Sequence, residues 1–273
     1  MVGCRAKSRR DCGYLAVVDT GASKCPWAKI EAQPYFLYNP KTEECCDWKD
    51  ATNCVDLQAD VMFVIDVSGS IDSQEFKQLI SFVKSIVSAL PIGLQETRVG
   101  AISFTSTAKL EFSMDKYATE ADILAAMDTI VNKAGGTATF AALNLLKSEA
   151  YLPSNGNRAD VQDLVFVLTD GKSSNKQATL DAVKNIENEG YTIFSVGIGN
   201  NLDLDELNAI SSDPDSTFTL RADFDSLNTI LNTLIDSACR VLAPVRTPGN
   251  GLDSAEKIAD VLAVSVKTCE LDW

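Results

Sequence analysis

The chain has 273 residues, of which 45% are hydrophobic and 23% are charged, so it is long enough for one folded domain of average size and a smaller one. Its net charge of −14 excludes nucleic acid and anionic membrane surfaces as general partners, because both need a basic face. The absence of histidine excludes Ser-His-Asp and Cys-His catalysis and histidine-ligated zinc.

Charge and cysteine content divide the chain into two parts. Residues 1–59 hold eight basic and eight acidic side chains, so the later residues carry the whole net charge. Six of the eight cysteines lie within the first 54 residues, which is typical of a small module held by disulfides in an oxidising compartment. We predict a disulfide-rich module at 1–58, a large domain at 59–240, and a linker with a C-terminal tail at 241–273.

Apolar runs of strand length alternate with helical stripes throughout the large domain. The run VMFVID at 61–66 is apolar on both faces, and residues 73–90 repeat apolar side chains three and four positions apart. This alternation predicts an α/β fold: a doubly wound, mostly parallel sheet with helices on both faces. The predicted strands are 61–66, 98–106, 108–112, 161–170, 191–199 and 216–220, and the predicted helices are 73–90, 120–132, 139–151, 176–189, 204–211 and 223–238.

Three polar loops follow predicted strands or precede a predicted helix. Doubly wound sheets bind their ligands at the carboxyl ends of their strands, where such loops meet. DVSGS ends the first strand at 66–70, GGTAT precedes a helix at 135–139, and TDG ends a later strand at 169–171. Carboxylate and hydroxyl oxygens suit a hard cation such as Mg²⁺. Because carboxylates are few in these loops, the ion would take a further anionic oxygen from outside.

The order DxSxS, GGTxT and TDG resembles the metal-ion-dependent adhesion site of a von Willebrand factor type A domain. The resemblance covers about residues 60–238, and VDLQADVMFVIDVSGSID at 55–72 is similar to the matrilin and collagen-associated members. It implies that the site holds Mg²⁺, or else Mn²⁺ or Ca²⁺, and that a carboxylate of a protein ligand fills an open position. The resemblance leaves open whether the last helix, 223–238, is displaced when a ligand binds at the metal or stays in place. The implied metal-site residues are Asp66, Ser68, Ser70, Thr137 and Asp170.

The N-terminal module resembles two small families. YFLYNPKTEECCDWKDATNC at 35–54 is similar to the closing half of a peritrophin-type chitin-binding module, and the Cys45-Cys46 doublet resembles, less well, that of a trefoil module. The aromatic side chains of this segment would either stack on sugars or fill a small core. Among matrilin-like members, cysteines flanking the large domain are often paired, which here implies Cys54 with Cys239, and a pairing of Cys239 with Cys269 is the alternative.

One segment resembles the active-site signature of an aspartic protease. LAVVDTGAS at 15–23 carries the triad, but such enzymes need two facing carboxylates, and a second triad is absent. The alternative interpretation is a short strand and a turn. We therefore predict that the protein is not an enzyme.

The functional expectation is an extracellular, secreted adhesion or matrix protein. Its partner would be an extracellular protein that offers a carboxylate, such as collagen or another matrix protein. The alternative is a structural or biomineral matrix protein that binds chitin or another glycan through residues 1–58. Nucleic acid is not an expected partner, and membrane insertion is not expected because the apolar runs are too short to span a bilayer.

Overall fold

The computed structural model describes residues 16–19, 35–39, 44–46 and 58–242. The chain divides into a unit of residues 1–242 and a unit of residues 243–273. The predictions of chitin binding, of a trefoil-like module and of the cysteine partners fall mostly on residues outside the described ranges and stay predictions. Cys239, which the structure does describe, is disulfide-bonded.

A small antiparallel sheet precedes the large domain. Its strand order is β1-β2-β3, and both pairs are antiparallel. Strand β1 coincides with the apolar part of the segment that resembles a protease signature. The strands are β1 Ala16–Asp19, β2 Tyr35–Asn39 and β3 Glu44–Cys46.

The large domain is built on a six-stranded sheet in the order β6-β5-β4-β7-β8-β9. All neighbouring strands are parallel except β5 and β6. Parallel strands covered on both sides need apolar side chains on both faces, and every residue of β4 is buried. The predicted mostly parallel sheet is confirmed. Its strands are β4 Ala59–Asp66, β5 Thr97–Phe104, β6 Ala108–Phe112, β7 Gln162–Thr169, β8 Thr192–Ile198 and β9 Thr219–Ala222.

The order of the strands makes the sheet doubly wound. The chain enters at β4, moves outward through β5 to β6, returns to β7 on the other side of β4, and moves outward again to β9. Strands β4 and β7 are therefore neighbours at the point where the winding direction reverses. In open α/β sheets the carboxyl ends of such a pair form the usual binding crevice.

Helices cover both faces of the sheet, as predicted. One buried cluster joins the sheet to side chains such as Phe82, Ile123 and Leu234, and a second joins its other face to Leu143 and Ile210. The helices are α1 Ser73–Ala89, α2 Glu120–Met127, α3 Thr139–Leu145, α4 Lys176–Ile186, α5 Leu204–Ile210, α6 Asp215–Phe218 and α7 Leu227–Leu242.

The predicted strand at 216–220 is wrong in its first half. Residues Asp215–Phe218 form a helical turn, because the carbonyl of Pro214 accepts hydrogen bonds from the backbone N–H groups of Thr217 and Phe218 at 2.8 and 3.2 Å. The strand then runs over Thr219–Ala222. A short alternating run could not distinguish the turn from a strand.

Four predicted helices differ from the structure at their ends. The helix predicted at 176–189 is α-helical to Ile186 and ends in a 3-10 turn over Glu187–Glu189, and the helix predicted at 223–238 runs over Leu227–Leu242 after a 3-10 turn over Phe224–Ser226. The helix predicted at 120–132 ends at Met127, because the N–H groups of Thr129 and Ile130 bond three residues back, to the carbonyls of Ala126 and Met127 at 3.0 and 3.2 Å. The helix predicted at 139–151 is α-helical to Leu145 and continues as a π turn over Leu146–Ala150. In the described part of the chain, no helix combines the length and the apolar character that crossing a membrane requires.

Candidate metal centre

The first predicted loop begins where β4 ends. Asp66 is the last residue of β4, and its Oδ1 atom accepts a hydrogen bond from the backbone N–H of Ser68 at 2.9 Å, which turns the chain away from the sheet. Asp66 and Ser68 are buried, whereas Ser70 is exposed. The hydroxyl oxygens of Ser68 and Ser70 lie 3.1 Å apart. The loop thus presents a carboxylate and two hydroxyls from the interior towards the surface.

The third predicted loop lies beside the first because β7 pairs with β4 in parallel. Ser70 donates a hydrogen bond from its hydroxyl to Asp170 Oδ1 at 2.9 Å. Thr169, the last residue of β7, donates from its buried hydroxyl to Asp66 Oδ2 at 2.7 Å. The sequence motif did not assign a role to Thr169. Its only sequence signal is its place at the strand end, directly before Asp170.

Thr137 joins the cluster from the loop between α2 and α3. It is 8% exposed, and its hydroxyl lies 3.5 Å from the hydroxyl oxygen of Ser68. The backbone N–H of Gly69 donates to the carbonyl of Gly135 at 3.2 Å, which fixes this loop against the first one. Gly135 has a φ of +144°, and a Cβ there would lie 2.6 Å from the Thr105 hydroxyl oxygen, so the position requires glycine.

All of the residues that the motifs predicted lie in one hydrogen-bonded cluster. The contacts run from Thr137 to Ser68, from Ser68 to Ser70 and from Ser70 to Asp170, and Asp66 joins through the backbone of Ser68. The residues come from three loops that are far apart in the sequence. None of them lies elsewhere in the fold.

The electrostatics of the cluster favour a cation. Burial raises the pKa of Asp66 to about 6, although hydrogen bonds from Thr169 and Ser68 oppose the effect. Burial also raises the pKa of Asp170, and the charge of Glu75 adds to it. No lysine or arginine in the described part of the chain forms an ion pair with either carboxylate. A bound divalent cation would supply the missing positive charge.

The spacing of the oxygen atoms fits a small hard cation. Ligands at about 2.0–2.1 Å from Mg²⁺ at octahedral positions lie about 2.8–3.0 Å from each other, whereas the wider Ca²⁺ shell separates them further. The hydrogen-bonded separations of 2.9 Å between Ser70 and Asp170 and 3.1 Å between the two serine hydroxyls are close to the Mg²⁺ value, and the Thr137 and Ser68 hydroxyl oxygens are further apart, at 3.5 Å. Among the described residues no group of three or more cysteines and acidic side chains forms a metal cluster, so hydroxyl oxygens are the distinctive ligands available.

A groove of about 320 Å³ adjoins the cluster and shares Ser70 and Asp170 with it. Its described lining residues include no lysine or arginine. The groove is therefore strongly negative, and it would favour basic over acidic groups of a ligand bound next to the cluster. Its acidic lining residues are Glu75, Asp170, Asp223 and Asp225.

The chain belongs to the von Willebrand factor type A domain family, whose model matches residues 60–233. This is the family that the three motifs predicted. The match includes β4 from Asp60 onwards and all three polar loops.

Among relatives in sequence, matrilin-1 of Bos taurus is 30% identical over 237 residues, which are 86% of this chain and 41% of the matrilin. The collagen alpha-6(VI) chain of Mus musculus is 32% identical over 187 residues, which are 68% of this chain and 8% of the collagen. The chain thus spans less than half the length of these relatives.

Solved structures share the fold. Proximal thread matrix protein 1 from the mussel byssus superposes with a TM-score of 0.64 and 28% identity, over 67% of this chain and 48% of that one. A further structure of that protein has zinc in its metal-ion-dependent adhesion site. The manganese-loaded TRAP protein of Plasmodium vivax, at 20% identity and a TM-score of 0.54 over 64% of this chain and 72% of that one, supports the fold alone.

Proposed function

We propose that the chain is a secreted adhesion protein of the extracellular matrix that binds a protein ligand through one divalent cation. The cation, Mg²⁺ in this proposal, would be held by the five residues of the cluster, and when bound it would attract a carboxylate of the ligand. The observation that carries the proposal is the hydrogen-bonded cluster of two carboxylates and three hydroxyls without a basic partner. The proposed ligand residues are Asp66, Ser68, Ser70, Thr137 and Asp170.

The position of the cluster supports a role in adhesion rather than in structure alone. Ser70 is exposed and Asp170 is half-buried at the surface, while Asp66 and Ser68 are buried beneath them. A cation held from below by this set would keep coordination positions on its solvent side, because Mg²⁺ rarely takes a full set of protein ligands. An aspartate or glutamate of a partner could occupy such a position.

The relatives indicate the kind of partner. Matrilin-1, the collagen VI chain and the mussel thread protein are proteins of the extracellular matrix. We therefore propose that the ligand is another extracellular matrix protein, with collagen as the first candidate to test.

The test is binding to immobilised matrix proteins with and without free divalent cation. We expect the full chain to bind in Mg²⁺ or Mn²⁺, to dissociate in EDTA, and to rebind when the cation is restored. Asp66→Ala should abolish binding. The matched control is Asp115→Ala, which removes an exposed carboxylate next to Gly156, at the amino ends of the strands.

A second arm tests the ligand chemistry. Amidation of the carboxylates on the immobilised matrix protein should remove the binding, whereas acetylation of its lysines should at most weaken it. Binding that resists EDTA, or that Asp66→Ala leaves intact, would contradict the proposed function.

A further inference from the structure

The loop that carries Thr137 has no regular secondary structure to hold it. It joins the end of α2 to the start of α3, and Thr137 lies two residues before α3 begins. The position of its hydroxyl relative to the other proposed ligands must therefore depend on contacts that its backbone makes with neighbouring loops.

Ser174 makes two of these contacts, both with Thr137 itself. The Ser174 hydroxyl oxygen accepts a hydrogen bond from the backbone N–H of Thr137 at 2.8 Å, and the backbone N–H of Ser174 donates to the carbonyl of Thr137 at 2.8 Å. Both hydrogen-bonding groups of the Thr137 backbone are thus bound to one residue. Ser174 follows Asp170 by four positions on the loop after β7, so this pair of bonds connects the loops of two proposed ligands.

The loop is held from its other side by the turn between β5 and β6. The hydroxyl oxygen of Ser106 accepts from the backbone N–H of Gly136 at 2.9 Å, and the carbonyl of Thr105 accepts from the N–H of Ala138 at 2.6 Å. The approach is close, since a Cβ on Gly135 would lie 3.0 Å from the Ser106 hydroxyl oxygen. Three successive N–H groups of the loop are therefore fixed by two separate segments.

We propose that Ser174 is a positioning residue of the metal centre: through the Thr137 backbone it holds the Thr137 hydroxyl beside Ser68, where it can join the ligands of one Mg²⁺ ion. This inference rests on the proposed function. Ser174 is not itself a ligand in this proposal, because its oxygen is occupied by the Thr137 N–H. Its effect is on the geometry, and hence on which cation the centre prefers.

Cation preference separates this role from a general effect on stability. Mg²⁺ requires near-ideal octahedral geometry, whereas Ca²⁺ accepts more variable ligand positions at longer distances. A Thr137 loop released by Ser174→Ala should therefore lose affinity for Mg²⁺ more than for Ca²⁺. Removing an outer partner of this kind typically costs about 10–100-fold in metal affinity, and since Ser174 is exposed we expect about tenfold for Mg²⁺ and about two- to threefold for Ca²⁺. A merely less stable protein would lose both affinities by the same factor.

The experiment is a calorimetric titration of Mg²⁺ and of Ca²⁺ into the metal-free full chain. Ser174→Ala should lower the ratio of the two affinities, and Ser174→Thr, which keeps the hydroxyl at an exposed position, should restore it. In a Thr137→Ala background, Ser174→Ala should have no further effect on Mg²⁺ affinity, because the side chain that it positions is gone. Ser85→Ala, which removes a half-buried hydroxyl that donates to the carbonyl of Ser81 within α1, is the control and should change neither affinity.

A measurement on the metal-free chain tests the contact independently. Hydrogen exchange of the Thr137 amide, followed by NMR, should be slow in the wild type and in Ser174→Thr and faster in Ser174→Ala, with unchanged exchange in the β4 core. Equal exchange in all three would overturn the positioning role. A ratio of Mg²⁺ affinity to Ca²⁺ affinity that is the same in the wild type and in Ser174→Ala would also overturn it. A wild-type chain that binds neither cation would instead overturn the proposed function.

Discussion

The hydroxyl of Ser70 donates a hydrogen bond to Asp170 Oδ1 at 2.9 Å, across a separation of 100 positions in the sequence. The contact forms because Ser70 follows β4 and Asp170 follows β7, and these strands lie side by side where the sheet reverses its winding. The two oxygen atoms are as close as neighbouring ligands of one magnesium ion, which are about 2.8–3.0 Å apart. The topology of the sheet thus creates the candidate centre.

The hydroxyl of Thr169 should help to keep the buried Asp66 carboxyl deprotonated. Its hydroxyl donates to Asp66 Oδ2 at 2.7 Å and lowers the pKa of Asp66, which burial raises to about 6. Thr169→Val keeps the shape of the side chain and removes the donor. We expect a higher pKa for Asp66 and, at neutral pH, Mg²⁺ affinity reduced about tenfold, since a proton then competes with the metal.

The measurement for Thr169→Val is a carbon NMR titration of the Asp66 carboxyl together with Mg²⁺ calorimetry at about pH 6 and about pH 8. The loss of Mg²⁺ affinity in Thr169→Val relative to the wild type should be larger at the lower pH. Thr229→Val, at an exposed position of α7, is the control. An unchanged Asp66 pKa in Thr169→Val would show that the hydroxyl does not act on the carboxylate.

The sequence predicted the strands and the site residues better than the ends of elements. The run at 61–66 is apolar on both faces, which determines a central strand, and the three motifs each place their residues at a strand or helix end, where the topology then brings them together. The turn at Asp215–Phe218 depends on a carbonyl contact of Pro214, which no periodicity encodes. The contacts of Thr169 and Ser174 could not be predicted because they depend on distances between loops.

Asp163 should make the fold less stable as the pH rises. It lies in β7 directly opposite Asp60 of β4, and its Oδ1 atom is buried without a hydrogen-bond partner among the described residues. Burial, with a further contribution from the charge of Asp60, raises the pKa of Asp163 from 3.8 to about 7, although Asn157 opposes the shift. A carboxyl whose pKa is raised on folding stabilises the folded state at pH values below 3.8, its ordinary pKa. This stabilisation is lost as the pH rises from 3.8 to about 7.

Urea unfolding of the metal-free wild type and of Asp163→Asn measures this loss. Because the carboxyl is only partly buried, we expect the wild type to lose about 1–2 kcal/mol relative to the variant between about pH 4.5 and about pH 8. The comparison with the variant cancels the titration of the other acidic groups. A difference in unfolding free energy between the two proteins that stays constant with pH would contradict a raised pKa for Asp163.

Arg158 should be essential for stability because it is the cation that neutralises Asp60. Asp60 is fully buried, and Arg158 donates to its Oδ1 from Nε at 2.9 Å and to its Oδ2 from the backbone N–H at 2.6 Å. Arg158→Met would keep the backbone hydrogen bond but leave a buried carboxylate without a cationic partner, at a cost of about 3–5 kcal/mol in the free energy of unfolding.

The double variant Asp60→Asn with Arg158→Met should regain part of the stability that Arg158→Met loses, since no charge is then buried. Thermal unfolding of the three proteins in EDTA measures both effects. If the double variant is less stable than Arg158→Met, the charge of Asp60 is not the cause of the loss.

The acidic groove beside the centre should select the residues that flank the ligand carboxylate. Among collagen-like triple-helical peptides that differ only next to one glutamate, those with lysine should bind about two- to fivefold more tightly than those with a further glutamate, the range expected for exposed ion pairs. Asp223→Asn with Asp225→Asn should reduce this preference, and so should high salt. A preference that persists unchanged in the double variant would place the selecting charges elsewhere.

The account depends most on whether the cluster binds a metal ion, and calorimetric titration of Mg²⁺ into the EDTA-treated full chain measures this directly. We predict uptake of one ion per chain, abolished by Asp66→Ala and by Asp170→Ala and unchanged by Asp115→Ala. No heat of binding with Mg²⁺ or Mn²⁺, or binding that survives both cluster substitutions, would contradict the account.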